Sequence, residues 1–246
     1  MILDRRTLLT TAALTASATL LPVGAGVPAT HVPGLVAPGL PLRYGVLGDS
    51  ITGRGSFASG ETRPWAALLQ ARLAKTWQLT RVNGATSRDE QGVTCLGTVD
   101  SVPFGCDLVV VGLGSNDCLA QRNGRYVYTP RDTYAAARTL FAALAAANPD
   151  AVIVRLGVWG DRSVQWTAGG SVHPVSRVEY WDELIGECCE ENGIVSVPCA
   201  DLYSRSANRL PAGRPAFGGY TTDGYHPNDA GHEAIYRRVA HRLRLP

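Results

Sequence analysis

The chain has 246 residues, 45% of them hydrophobic and 18% charged, which is enough apolar material for one fully cored domain plus a short leader. Its net charge is only +2, and the basic residues are scattered without a Lys/Arg run or interleaved aromatics. That pattern excludes nucleic acid as a partner class.

In chain order, the first segment is a leader. Asp4-Arg5-Arg6 precedes an apolar Ala/Leu/Thr run from Thr7 to Leu21, and Val27-Pro28-Ala29 offers a cleavage site. Arg5-Arg6-Thr7-Leu8-Leu9 resembles a twin-arginine signal. Residues 1–29 are therefore expected to be a signal peptide, and the protein to be secreted or held in the cell envelope. The apolar run is too short and Thr-rich for a stable membrane span. Residues 30–41 are rich in Pro and Gly and read as a linker, which leaves 42–246 as the working domain.

Within that domain, short apolar runs alternate with amphipathic ones. Strands are expected at Leu42–Leu47, Trp77–Val82, Leu108–Leu113, Ala151–Leu156 and Ile194–Val197. The runs lack polar alternation, as in strands buried on both faces of a parallel sheet. Pro64–Ala74 carries apolar residues at helical spacing. Thr129 with Pro130 and Asp132 opens a second helix, which stops at Asn148-Pro149. Ser176 with Glu179 is a capping box for a third, ending at Asn192-Gly193, and Asn228 caps a last helix to about Arg242. This order predicts an α/β fold with three α/β/α layers. Residues 157–174 have no clear assignment.

Six cysteines, at 95, 106, 118, 188, 189 and 199, suit disulfides in an exported chain. Proximity in sequence favours Cys95 with Cys106, and Cys188 or Cys189 with Cys199.

Functional residues of an open parallel sheet gather outside the carboxyl ends of its strands. Ser50, Gly84 and Asn116 each follow an expected strand, and His226 lies in the loop before the last helix. Ser50 is a candidate nucleophile, which needs a base. His226 can take and return its proton, and Asp223 can hold the other ring nitrogen. The Asn116 amide, with the backbone N–H groups of Gly84 and Ser50, can hold an oxyanion. Against this, each residue alone also suits a turn or helix cap. His232 lies inside the last helix and reads as a surface or packing residue. Gly112-x-Gly114 lacks the rest of a phosphate loop, and Asp223, His226, Asp229 and His232 match no zinc spacing. No cofactor or metal is expected.

At these residues the chain resembles the SGNH (GDSL-type) hydrolases. Gly48-Asp49-Ser50-Ile51-Thr52 is similar to the family's first block, Gly114-x-Asn116-Asp117 to the third, and Asp223-x-x-His226-Pro227-Asn228 to the last. Asn83-Gly84-Ala85-Thr86-Ser87 resembles the second and makes Gly84 the oxyanion glycine. Alignment on Asn83 would instead put Arg88 at that place. A backbone donor needs a position free of side chain, which favours Gly84. The resemblance implies a flavodoxin-like fold of about five parallel strands for residues 42–246. It also implies metal-independent ester hydrolysis through an acyl-serine.

The expected function is that of an exported serine esterase acting on O-acyl esters, short-chain by preference, of a small molecule, lipid or polysaccharide. Trp159, Trp166 and Trp181 are candidates to stack on sugar rings. The alternatives are an acyltransferase on the same Ser-His site and a catalytically silent carbohydrate-binding module.

Overall fold

The computed structural model describes residues 35–53, 58–82, 94–168, 170–203, 220–221 and 225–245. Five strands form its main sheet: β1 (Pro41–Gly48), β2 (Gln78–Val82), β3 (Leu108–Gly112), β4 (Val152–Leu156) and β5 (Val195–Val197). All neighbours are parallel, in the spatial order β2-β1-β3-β4-β5. That is the flavodoxin-like order, and the chain changes winding direction between β1 and β3.

Strand side chains alternate between the two faces, and in the central strands both faces are apolar, while β2 at the end of the sheet is largely exposed. Leu42, Tyr44, Val46, Leu108, Val110, Val152 and Val154 point into one core, with α1 (Trp65–Ala74) and α6 (Asp229–Arg242) over them. Leu47, Val109, Val111 and Ile153 point into the other, under α3 (Pro130–Ala147) and α4 (Arg177–Glu191). The result is the expected three-layer α/β/α arrangement. Two short helices, α2 (Ser115–Leu119) and α5 (Ala200–Tyr203), follow β3 and β5.

The helix starts follow from local chemistry. Thr129 and Asp132 form a reciprocal capping box, with Pro130 at the first helical position. Asn228 caps α6 by accepting from the Gly231 N–H at 3.0 Å. Ser176 caps α4 by accepting from the Glu179 N–H, but its own hydroxyl donates to the Glu179 carboxylate at 2.8 Å. The expected box is thus half formed, with the Ser176 hydroxyl accepting from the Glu179 N–H but no return bond to the Ser176 N–H of the kind Asp132 gives Thr129. Residues 157–174 are not a plain loop: Thr167–Ala168 pairs with Ser171–Val172 as a small antiparallel hairpin, and Gln121–Arg122 pairs likewise with Arg125–Tyr126.

The expected disulfides are absent. All six cysteines are buried free thiols. Cys188 and Cys189 lie in one core and Cys199 in the other, so the sheet separates them. Cys106 precedes the start of β3, whereas Cys95 binds Asp117, beyond its end. Five strand residues span roughly 16 Å, and a disulfide needs Cα atoms within about 7 Å. Burial raises every one of these thiols, Cys106 and Cys188 to about 11 and Cys189 and Cys199 to about 12. They are packing residues that stay protonated.

Among the described residues, no helix is long and apolar enough to cross a membrane.

Candidate active site

The carboxyl ends of β1 and β3 lie side by side, with Gly48 opposite Gly112. The Thr52 side chain fills the space over both. A Cβ on Gly48 would lie 2.0 Å from Thr52 Oγ1, and one on Gly112 2.4 Å from it. Only glycine at both positions lets the turn after β1 settle on the sheet edge, where Thr52 Oγ1 donates to the Gly112 carbonyl at 3.2 Å.

Asp49 builds that turn. Its carboxylate accepts from the Ile51 N–H at 2.9 Å, and its carbonyl accepts from the N–H groups of Thr52 and Gly53. The intervening residue, Ser50, is held at the crest, 8% exposed. Its Oγ lies 3.1 Å from His226 Nε2, 176 residues away in sequence. His226 is similarly sheltered, 9% exposed. It stands just before the start of α6, and the chain around it is held by a bridge between Thr221 and Pro227.

Asn116 lies in α2, past the end of β3. Gly114 starts this helix at φ +115°, and a Cβ there would meet Ile185 Cδ1 at 2.8 Å, so both conformation and space require glycine. The Tyr225 hydroxyl donates to Asn116 Oδ1 at 3.4 Å. The next residue of α2, Asp117, accepts from the Cys95 N–H with both oxygens, at 3.1 and 3.2 Å. Burial pushes the Asp49 carboxyl up to about 7, with the nearby Asp117 charge adding to it against the Ile51 N–H. Burial likewise raises Asp117 to about 6.

The loop after β4 closes the site from below. Arg155, 1% exposed, pairs with Asp182 at 2.7 Å. Asp182 also accepts from the Val158 N–H at 2.8 Å. The adjacent Trp159 N–H donates to Ser115 Oγ at 3.1 Å, and its indole Nε1–H donates to the Tyr225 carbonyl at 2.7 Å. A buried ion pair thereby fixes a tryptophan that grips the residue before His226.

The GDSL-like Lipase/Acylhydrolase family profile matches residues 46–234, most of the chain. The chain belongs to this family. Search of curated protein sequences finds no match. Solved structures agree with the fold of this GDSL-like protein. A protein classed as a GDSL-like lipase from Parabacteroides merdae is 16% identical with a TM-score of 0.59, covering 83% of this chain and 96% of its own. A Lactobacillus plantarum protein is 22% identical at a TM-score of 0.58, covering 85% and 98%. A two-domain esterase active on acetylated mannans is 16% identical at 0.56, covering 84% of this chain and 49% of its own.

The sequence-derived residues of this family member divide by what is described. Ser50, His226 and Asn116 are brought to the β1/β3 edge. Asp223 and Gly84 lie outside the described residues, as does the Arg88 alternative. Of the two readings of His232, packing is the one the fold gives: it is 2% exposed, and its Nδ1 accepts from the Trp65 N–H at 3.3 Å, at the start of α1. Burial lowers it to about 4. Trp159 and Trp181 are 2% and 0% exposed, so neither can stack on a ligand. Trp166 differs. With Tyr126, Tyr128, Gln165 and Val172 it lines a surface cavity of about 430 Å³. Arg177 under that cavity links it to α2, donating from Nε to the Cys118 carbonyl. The parts played by Thr52, Trp159 and Asp182 have no signature in sequence, since each acts through a contact that only folding makes. Among the described residues, no cluster of His, Cys, Asp and Glu could hold a metal ion.

Proposed function

We propose that the protein is a serine esterase working through an acyl-serine at Ser50. The observation that carries this reading is the 3.1 Å approach of Ser50 Oγ to His226 Nε2. A serine hydroxyl is a weak nucleophile until a base within hydrogen-bond reach accepts its proton. The Ser50 O–H gives its proton to Nε2 as Oγ bonds to the ester carbonyl carbon. The resulting oxyanion is held by the Asn116 amide and the backbone N–H groups of Ser50 and Gly84. The imidazolium proton passes to the departing alkoxide. A water molecule then repeats the sequence on the acyl-serine, freeing the acid and restoring Ser50. Asp223 is assigned to hold Nδ1–H, which keeps Nε2 open to accept a proton.

The substrate class in this reading is a short-chain O-acyl ester on a carbohydrate. The cavity lined by Tyr126, Tyr128 and Trp166 includes none of Ser50, Asn116 and His226, and its Trp166 ring is already stacked on His173, so support for this class comes from the fold relatives instead. The esterase active on acetylated mannans shares the fold. The twin-arginine-like leader places the enzyme outside the cytoplasm in this proposal. The buried thiols are compatible with either redox compartment.

Turnover of p-nitrophenyl acetate and butyrate, and of an acetylated polysaccharide, tests the proposal beside Ser50→Ala and His226→Ala. Both variants are expected to lose at least about a thousand-fold in kcat. Wild-type turnover by either removes that residue from the mechanism. Acyl transfer to added sugar in preference to water would reassign the protein as an acyltransferase.

A further inference from the structure

Tyr225 touches three parts of the site at once. Its carbonyl accepts from the Trp159 indole at 2.7 Å. Its ring meets the imidazole of His226 edge-on, with centroids 4.9 Å apart and planes at 77°. Its hydroxyl reaches Asn116 Oδ1 at 3.4 Å.

The last contact has a chemical consequence. A side-chain amide has one acceptor end and one donor end, and a rotation of 180° about its last bond exchanges them with little change in shape. Only the Nδ2 end can stabilise an oxyanion. Presented with Oδ1, the site would repel the developing charge. Something must therefore select between the two orientations of Asn116. A hydroxyl donor aimed at Oδ1 favours the one that leaves Nδ2 facing away from the tyrosine. Fixed donors of this kind need no reorganisation as charge develops, which is the basis of their effect.

We infer that Tyr225 is a positioning residue that holds the Asn116 amide with its donor end towards the reacting carbonyl, coupling the loop that carries His226 to the oxyanion donor. The inference rests on the acyl-serine reading above. Tyr225 is suited to the task because its own place is set from behind. Trp159, 2% exposed, grips its backbone and is in turn held by Ser115 Oγ, one residue before Asn116. Base, tyrosine and amide are thus joined by one continuous set of contacts. Tyr225 lies between the motif residues Asp223 and His226 without being one of them.

The test is a double-mutant cycle on the full chain with p-nitrophenyl acetate. Tyr225→Phe keeps the ring and removes the hydroxyl. Its kcat is expected to fall about three- to ten-fold, the value of one neutral hydrogen bond, with KM unchanged. Asn116→Ala is expected to fall about a hundred- to a thousand-fold. In the Asn116→Ala background, Tyr225→Phe is expected to cost nothing more, because the group it orients is gone. Asn116→Asp supplies a second background if the alanine variant does not fold, since it keeps an acceptor for Tyr225 and lacks the donor. Wild-type kcat in Tyr225→Phe overturns the inference. So does an equal loss with and without Asn116, which would make the hydroxyl an independent contributor. Failure of the underlying reading looks different: Ser50→Ala would then stay fast whatever Tyr225 does.

Discussion

Ser50 Oγ and His226 Nε2 lie 3.1 Å apart at the end of a sheet edge built by β1 and β3. Neither element supplies both groups. The turn after β1 brings the hydroxyl, and the segment entering α6 brings the imidazole. If the two act as one unit, their losses do not add. Ser50→Ala/His226→Ala is expected to be as slow as Ser50→Ala alone, within about three-fold, in kcat for p-nitrophenyl acetate. Multiplying losses would show that they act separately.

The buried Asp49 predicts a pH signature in stability. Its ordinary value is 3.8, and in the fold burial raises it to about 7. Between those limits the native state keeps a proton that the unfolded chain has released. Stability from this group is therefore fully present below about 4 and is lost as pH rises towards 7. Asp49→Asn keeps an acceptor for the Ile51 N–H and cannot titrate. Relative to wild type, it is expected to gain stability steadily from pH 4 to pH 7 in urea unfolding, then level off. A difference independent of pH would show that Asp49 is not held in this way.

His232 runs in the opposite direction. Its folded value of about 4 lies below the ordinary 6.5, so the unfolded chain binds the extra proton first. Acidification from pH 6.5 to pH 4 should favour unfolding through this residue. His232→Gln, which has no titrating ring, is expected to close its stability gap to wild type across that interval. The readout is the difference in urea midpoint at pH 7 and pH 4.5.

The Arg155–Asp182 pair should be costly to break from one side. Arg155 is 1% exposed, and removing its partner strands a guanidinium in the core. Asp182→Ala is expected to cost about 3 kcal/mol in unfolding free energy. Arg155→Met combined with Asp182→Leu should recover much of that. Because Asp182 also accepts from the Val158 N–H, the single variant should slow catalysis as well, through the Trp159 loop.

Thiol counting tests the cysteines. Dithionitrobenzoate is expected to find six thiols per chain in guanidinium without reductant, matching the six free cysteines, and almost none in the native protein. Four thiols in denaturant would mean that one disulfide forms after all.

Much of this protein was legible before folding was considered. The central strands appear as apolar runs because a parallel sheet covered on both sides leaves them no polar face, whereas β2, at the end of the sheet, is polar and largely exposed; the caps of α3, α4 and α6 are local chemistry. Gly48-Asp49-Ser50 and Gly114-x-Asn116-Asp117 are likewise local, because a tight turn at a strand end constrains its own few residues. Other features belong to tertiary structure alone. Sequence proximity suggested Cys188 or Cys189 with Cys199, which the sheet separates, and Cys95 with Cys106, which share one core but sit at opposite ends of β3, since nearness along a chain does not fix nearness in the fold. Trp159, a candidate sugar platform in sequence, became the buried clamp on Tyr225. Arg155 entered the core because Asp182 was there to meet it. Residue types and strand ends are written in the order of the chain. Partners 176 residues apart are chosen by the packing of helices on a sheet, and that choice depends on all the elements together.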